Sequence, residues 1–215
     1  MIARQFDSII GKFNIDAVKI GRVCSKEIAQ FVSSKIDEGD LKNVVIDPVE
    51  YSDPENLPNI SSLKDILKLE LIPKATVATM NIEEAMSILG IAIKNPMGMK
   101  AGAKLIHKMG VKFSVVTGGL YEDDEVVDYL FDGSEFMDLP SERIEHESNQ
   151  GIGASFAAAI AAGLAHGRDA DEAVAVAKMF VVDAATNGLK LSPKENTLNQ
   201  LQAWWAAGGE RGYGG

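Results

Sequence analysis

Apolar residues along this chain occur in two patterns that alternate through most of its length. Short continuous runs rich in Val and Ile predict buried strands, and segments with apolar residues every three or four positions predict amphipathic helices. The predicted strands are residues 15–20, 44–46, 75–79 and 112–116. The predicted helices are residues 7–13, 25–36, 62–70, 95–109 and 169–187, and two more that open at Asn81 and after Gly153. This alternation predicts an open, mostly parallel α/β sheet.

The alternation is interrupted once, in the second half of the chain. Residues 128–131 and 135–139 lie on either side of Asp132-Gly133, a dipeptide typical of a hairpin turn. We therefore expect an antiparallel β-hairpin inserted into the sheet. The glycine-rich end of the chain, from Gly208, is predicted to be disordered.

Composition and charge narrow the class of protein. The formal net charge is −10 over 215 residues, which disfavours nucleic-acid binding because a phosphate backbone would be repelled. The longest apolar run, residues 154–164, is too short to span a membrane, and the first residues lack the apolar segment of a signal peptide. The single cysteine, Cys24, fits a reducing compartment. These features predict a soluble, cytoplasmic protein.

A glycine turn is the first candidate for chemistry. Gly151-Ile152-Gly153 precedes a run of Ala and other small residues that predicts a helix. The first backbone N–H groups of a helix lack intrahelical partners and carry the positive end of the helix dipole, and glycine lets a phosphate approach them. The turn therefore predicts an anion site. The alternative is a tight turn before a buried, Ala-rich helix with no ligand.

Polar residues also follow the predicted strands, where ligands of open parallel sheets collect. They are Lys19, Asp47, Asn81 with Glu84, and residues 117–119. Each has a structural alternative. Asn81 and Glu84 have the spacing of a helix capping box, and Asp47 fits a turn. Lys19 fits a solvated strand end, residues 117–119 fit a tight bend, and the three histidines have no metal-site spacing.

Six segments in one order carry a more specific pattern. They are AVKIG (17–21), VIDPV (45–49), LIPKATV (71–77), TMNIEEA (79–85), GG (118–119) and QGIGASFAAAIA (150–161). From Gln5 to about Leu189 the chain resembles the hydroxymethylpyrimidine and hydroxymethylpyrimidine-phosphate kinases of thiamine synthesis, in the ribokinase-like superfamily. The resemblance implies a three-layer α/β/α domain over residues 1–192, with a C-terminal extension over 193–215.

The resemblance also implies roles for the candidate residues, with ATP and Mg²⁺ as cofactors. Gly151, Ile152 and Gly153 would form an anion hole for the transferred phosphate. The other implied sites are Mg²⁺ held through water by Asn81 and Glu84, nucleotide contacts at Thr117, Gly118, Gly119, Ala177 and Val181, and a substrate side at Lys19 and Asp47.

Two departures from the family pattern change the expected function. Ala154 stands where the family has Cys and the wider superfamily usually has Asp, and a methyl group cannot act as a general base. Ile152 and Thr117 replace the family's usual Thr and Lys. The family's N-terminal segment, with its first strands and much of its pyrimidine-binding surface, has no counterpart here. The exposed sheet edge then predicts an oligomer, with a homodimer preferred to a complex with another completing subunit.

Three functional hypotheses follow. In the first hypothesis, the chain is a degenerate or partial homologue that keeps a nucleotide or phosphate pocket but has weak or no kinase activity. It would then act as a sensing or structural subunit. Alternatively it is an active small-molecule kinase whose substrate site is completed by another subunit. The third is an unrelated activity on the same fold, because fold alone does not determine function.

Overall fold

A six-stranded sheet forms the centre of the computed structural model, which describes residues 2–48, 60–118, 124–144, 151–192 and 195–202. The strands are β1 (Val18–Ile20), β2 (Val44–Ile46), β3 (Val77–Asn81), β4 (Phe113–Thr117), β5 (Glu125–Phe131) and β6 (Phe136–Glu142). They lie in sequence order, with β1 to β4 parallel and β5 antiparallel to both β4 and β6. The predicted parallel sheet and the inserted hairpin are confirmed.

Helices cover both faces of this sheet. They are α1 (Ile2–Ile10), α2 (Lys26–Glu38), α3 (Ile60–Ile66), α4 (Ile82–Leu89), α5 (Pro96–His107), α6 (Ile152–Ala165) and α7 (Ala170–Thr186). A π-helical turn (Leu67–Leu71) and a 3₁₀ turn (Ile72–Lys74) follow α3. One apolar core lies between one face of the sheet and the helices α2, α3, α4 and α5. A second core lies between the other face and the helices α6 and α7. The fold is therefore a three-layer α/β/α arrangement, as the family resemblance implied.

Strand β2 illustrates why continuous apolar runs mark this sheet. Val44 and Ile46 pack in the first core, whereas Val45 between them packs in the second. Successive side chains of a strand point to opposite faces, so a strand covered on both faces has no polar positions. The predicted start of α2 at Ser25 is confirmed, since the Ser25 hydroxyl accepts from the N–H of Ile28 at 3.3 Å and caps the helix.

Two predicted helix starts are wrong. Helix α1 covers Ile2–Ile10 instead of 7–13, and Phe13 lies beyond it with 64% of its surface exposed. The helix predicted from residue 62 begins at Ile60, so Ser62, which lies three residues before Asp65 as in a capping box, is inside the helix and is not its cap. Polar residues at capping-box spacing also occur within helices, and the spacing alone does not distinguish the two positions.

The end of the described chain contains a small antiparallel sheet that the sequence pattern did not predict. Strand β7 (Leu189–Ser192) pairs with β8 (Glu195–Thr197), which lies in the predicted extension 193–215. The tail from Gly208, which the sequence predicts to be disordered, lies outside the described residues. Within the described ranges, no helix is long and apolar enough to cross a membrane.

Candidate functional site

Helix α6 begins at the carboxyl edge of the sheet. Strand β6 is parallel to β4, so its end lies at the edge where the parallel strands end. Ile144, two residues beyond β6, shares an apolar cluster with Ile152 and Leu198. This cluster brings the first turn of α6 to the edge where ligands of open α/β sheets bind.

The glycine turn before α6 is open. Gly151 has φ +88°, a left-handed conformation that glycine adopts without steric cost, and it has no side chain to cap the helix. A Cβ atom on Gly153 would meet no atom of the described residues within 4 Å. The Ile152 side chain packs in the apolar cores and does not fill the turn. Gly151 supplies no side-chain cap to the first N–H groups of α6, and the described residues leave space beside Gly153.

A cavity of about 590 Å³ continues from this turn along α6 and α7. Ala154 is exposed at the end of the cavity next to the glycine turn. The position at which the family has Cys therefore presents a methyl group to the cavity. Ser155 and Gln200 close this end, where Gln200 Nε2 donates to Ser155 Oγ at 2.8 Å. The rest of the lining consists of Gly151, Ala158, Ala159, Ala162, Gly163, His166, Arg168, Val176 and Phe180.

Lys19 and Asp47 form one ion pair at the ends of β1 and β2. The distance from Lys19 Nζ to Asp47 Oδ2 is 3.0 Å, and the Asp47 side chain is only 6% exposed. Ile46 pairs with Ala78, so Asp47 lies beside Thr79 on the neighbouring strand. The Thr79 hydroxyl is buried and has no hydrogen-bond partner among the described residues. The sequence reasoning did not single out Thr79, which the structure places beside Asp47.

Asn81 and Glu84 form the capping box of α4. Asn81 Oδ1 accepts from the N–H of Glu84 at 2.8 Å, and Glu84 Oε2 accepts from the N–H of Asn81 at 2.9 Å. The structural alternative is therefore realised, and the Mg²⁺ role stays a prediction. No group of three or more His, Cys, Asp or Glu side chains suited to a metal ion occurs in the described part of the chain.

Asn81→Ala is expected to lower the free energy of unfolding by about 1 kcal/mol, because the N–H of Glu84 loses its acceptor. Urea denaturation followed by circular dichroism measures this change. Asn81→Ser is the matched control, since a hydroxyl oxygen restores a capping acceptor. Equal stability of Asn81→Ala and the unmodified protein would contradict a stabilising cap.

Thr117 and Gly118 end β4 next to this capping box. Thr117 pairs with Asn81 across the β3–β4 ladder. The N–H of Gly118 donates to Asp128 Oδ1 at 2.8 Å, and a Cβ on Gly118 would lie 2.5 Å from the carbonyl oxygen of Val127. Glycine is therefore required here for close approach of the two strands. The predicted contact at Gly119 lies outside the described residues.

Asp128 and Lys178 form a buried ion pair that the sequence reasoning also missed. Lys178 Nζ of α7 lies 2.9 Å from Asp128 Oδ2 of β5, and the two side chains are 10% and 6% exposed. Burial raises the pKa of the Asp128 carboxyl above its ordinary value, and the charge of Lys178 opposes this rise. The signal in the sequence was Asp128 among the otherwise apolar residues 126–131 and Lys178 among the apolar positions of α7.

The two α7 residues predicted to contact a nucleotide, Ala177 and Val181, do not line the cavity along α6 and α7, and their nucleotide role stays a prediction. Ala177 is fully buried and Val181 is 5% exposed, and both pack in the core between α7 and the sheet. Each residue of a helix is rotated by roughly 100° from the one before it. The preceding residues, Val176 and Phe180, therefore line the cavity instead.

Fold and site together define an α/β protein with an open helix N-terminus above the ends of parallel strands. Residues 1–199 match the family described as phosphomethylpyrimidine kinase. The chain is 37% identical over 185 residues to the chloroplastic thiamine biosynthetic bifunctional enzyme TH1 of Arabidopsis thaliana. It is 32% identical over 205 residues to the hydroxymethylpyrimidine/phosphomethylpyrimidine kinase of Bacillus subtilis.

A solved structure agrees with these sequence matches. The ADP complex of Bacillus subtilis pyridoxal kinase superimposes with a TM-score of 0.88 at 33% identity, covering 94% of this chain and 77% of that one. The chain belongs to the phosphomethylpyrimidine kinase family, as the resemblance predicted. The matched region is 85% of this chain and 35% of the Arabidopsis enzyme, and 93% of this chain and 74% of the Bacillus kinase.

Proposed function

We propose that this chain is a degenerate phosphomethylpyrimidine kinase homologue that binds the phosphates of ATP and has weak or no kinase activity. The observation that carries the proposal is the open turn Gly151–Gly153 followed directly by the exposed methyl group of Ala154. The turn supports phosphate binding, and the methyl group supports impaired chemistry. Both features lie at the same helix end.

Nucleotide binding is supported by the donors that the turn offers. Phosphoryl transfer is catalysed mainly by positioning and electrostatics, and free N–H groups at a helix N-terminus suit the charge of a phosphate. The similar Bacillus subtilis pyridoxal kinase was solved as an ADP complex, which favours a nucleotide as the ligand here. Thr117 and Gly118 lie at the same sheet edge and would border its phosphates and ribose.

Mg²⁺ is proposed as the accompanying ion, since it neutralises phosphate charge and prefers oxygen ligands with several waters. The oxygens available at this edge fit that preference. The Thr79 hydroxyl is buried without a partner among the described residues, and the Asp47 carboxylate lies beside it. Asn81 and Glu84 would act through water, because their side-chain oxygens already cap α4.

Impaired catalysis is proposed from Ala154. The hydroxyl of a hydroxymethylpyrimidine must lose its proton when it attacks the terminal phosphate, and a positioned base accelerates such a step by roughly 10²- to 10⁴-fold. Ala154 offers no atom that accepts a proton. Ser155, the next residue, is buried in the cavity wall, where its hydroxyl accepts a hydrogen bond from Gln200. The chain would therefore act as a nucleotide-sensing or structural subunit.

The second candidate is an active kinase of the same family that is completed by another subunit. The Lys19–Asp47 ion pair supports it, since charged groups remain on the proposed substrate side. Strand β1 also pairs only with β2 among the described strands, which leaves an edge for a partner. A homodimer would be the simplest completing arrangement.

Calorimetry with Mg·ATP, together with a turnover assay on hydroxymethylpyrimidine and its phosphate, tests the proposal. We expect ATP to bind and turnover to lie roughly 10²- to 10⁴-fold below the usual kinase range of about 1–100 per second. Light scattering on the same sample gives the oligomeric state. Turnover within the usual range by an oligomer would favour the second candidate. Absence of ATP binding would contradict the proposed nucleotide pocket.

A further inference from the structure

The Asp128 carboxylate joins three separate elements of the fold. Its Oδ1 accepts from the N–H of Gly118 after β4, and its Oδ2 accepts from Lys178 Nζ of α7, while Asp128 itself belongs to β5. Both of these hydrogen bonds are made by the same buried carboxylate. The geometry thus links the end of β4 to the helix that borders the cavity next to α6.

Asp128 lies just beyond the last residue pair of the β4–β5 ladder. The β4–β5 pairing covers residues 114–116 of β4, whose partners are residues 129–131 of β5. Gly118 lies two positions beyond the ladder, so its N–H has no strand partner, and the Asp128 side chain takes the place of one. Contact with the carbonyl oxygen of Val127 leaves no space for a Cβ on Gly118. The backbone at Gly118 is therefore held from two sides.

Stability alone does not explain a charged pair at this position. Buried ion pairs are costly to desolvate, and apolar side chains of similar size usually replace them without loss of stability. An apolar pair would pack equally well between β5 and α7, but it would offer no acceptor to the N–H of Gly118. The charged pair differs from an apolar pair because its carboxylate accepts a hydrogen bond from the N–H of Gly118, just beyond β4.

We infer that Asp128 and Lys178 are positioning residues that hold the Thr117-Gly118 backbone where it contacts the nucleotide. Lys178 fixes the Asp128 carboxylate, and the carboxylate fixes the N–H of Gly118. This inference rests on the proposed ATP binding. It adds that the Asp128 carboxylate already holds the Gly118 backbone in place before the nucleotide binds.

Two double variants separate positioning from packing. Asp128→Leu with Lys178→Met keeps the apolar volume and removes the acceptor. Asp128→Asn with Lys178→Gln keeps an acceptor for Gly118 and a hydrogen bond between the pair, without charge. Lys100→Met is the control, because it removes the exposed ion pair with Asp138 on the same hairpin. Each protein is titrated with Mg·ATP in a calorimeter, unfolded in urea, and followed by amide exchange at Gly118.

The Leu/Met pair should weaken ATP binding by about tenfold or more, with an unchanged urea midpoint and faster exchange at Gly118. The Asn/Gln pair and Lys100→Met should bind ATP within about threefold of the unmodified chain, since each leaves the Gly118 acceptor in place. ATP affinity of the Leu/Met pair equal to that of the unmodified chain overturns the positioning role and leaves the proposed function intact. Affinity and urea midpoint falling together in both double variants also overturns it. Absence of ATP binding by the unmodified chain overturns both proposals.

Discussion

Lys178→Met alone is expected to lower the free energy of unfolding by about 3–5 kcal/mol, a large share of a typical domain's stability. The variant leaves the Asp128 carboxylate buried, with the hydrogen bond from the N–H of Gly118 still in place. An uncompensated buried charge is costly because the protein interior solvates it poorly. Urea denaturation at neutral pH measures the change.

The matched control is the double variant Asp128→Leu with Lys178→Met. It removes both charges, so most of the lost stability should return. The difference between the single and the double variant isolates the cost of the stranded carboxylate from the cost of altered packing. Equal destabilisation in both would mean that packing, and not charge, dominates at this site.

The single variant should also depend on pH in a defined direction. Burial already raises the pKa of Asp128 above its ordinary 3.8, and Lys178→Met removes the charge that opposes this rise. The native state then holds a proton that the unfolded state releases, so stability falls as pH rises through the raised pKa. The same denaturation series repeated between about pH 5 and 8 measures this slope.

The sheet and its hairpin were predictable because their signals are local. The run Val44–Ile46 is buried on both faces, and such a run has few alternatives to a central parallel strand. At the hairpin, Asp132 Oδ1 accepts from the N–H groups of Ser134 and Glu135 at 2.6 and 2.7 Å. A turn that is stabilised by its own residues can be identified without knowing the rest of the fold.

The missed features depend on residues that are distant in sequence. Asp128 and Lys178 are 50 positions apart, and only the packing of α7 against the hairpin brings them together. The cavity-lining residues of α7, Val176 and Phe180, also had no signal in the sequence, because small and apolar residues occur on most sides of that helix. A helix without a clear polar face gives no local signal of its orientation.

The glycine turn lies between these cases. Its two glycines and the following small residues predicted a helix start with an accessible backbone, and the structure has that start at Ile152. The chemical meaning of Ala154 came from the family resemblance, since a lone alanine has no signal of its own. Whether a phosphate binds there depends on contacts that involve the ligand.

Gly153→Val is expected to weaken ATP binding by roughly 100-fold or more, because its branched side chain would occupy the space where a phosphate meets the N–H groups of α6. Loss of two charge-assisted hydrogen bonds is sufficient for a change of that size. Calorimetric titration with Mg·ATP measures the loss. Ala165→Val is the matched control, since it adds the same side chain at the exposed far end of α6.

Stability should not follow affinity in this variant. A Cβ at Gly153 meets no described atom within 4 Å, and Gly153 does not have the positive φ of Gly151, so valine fits the backbone. Valine is also a better helix former than glycine, and the unfolding free energy should change by less than about 1 kcal/mol. A Gly153→Val protein that unfolds at the same urea concentration and still binds ATP normally would remove the turn from the nucleotide site. The phosphate would then have to be held by other groups at the sheet edge, and the ion pair of Lys19 with Asp47 would be the next group to test.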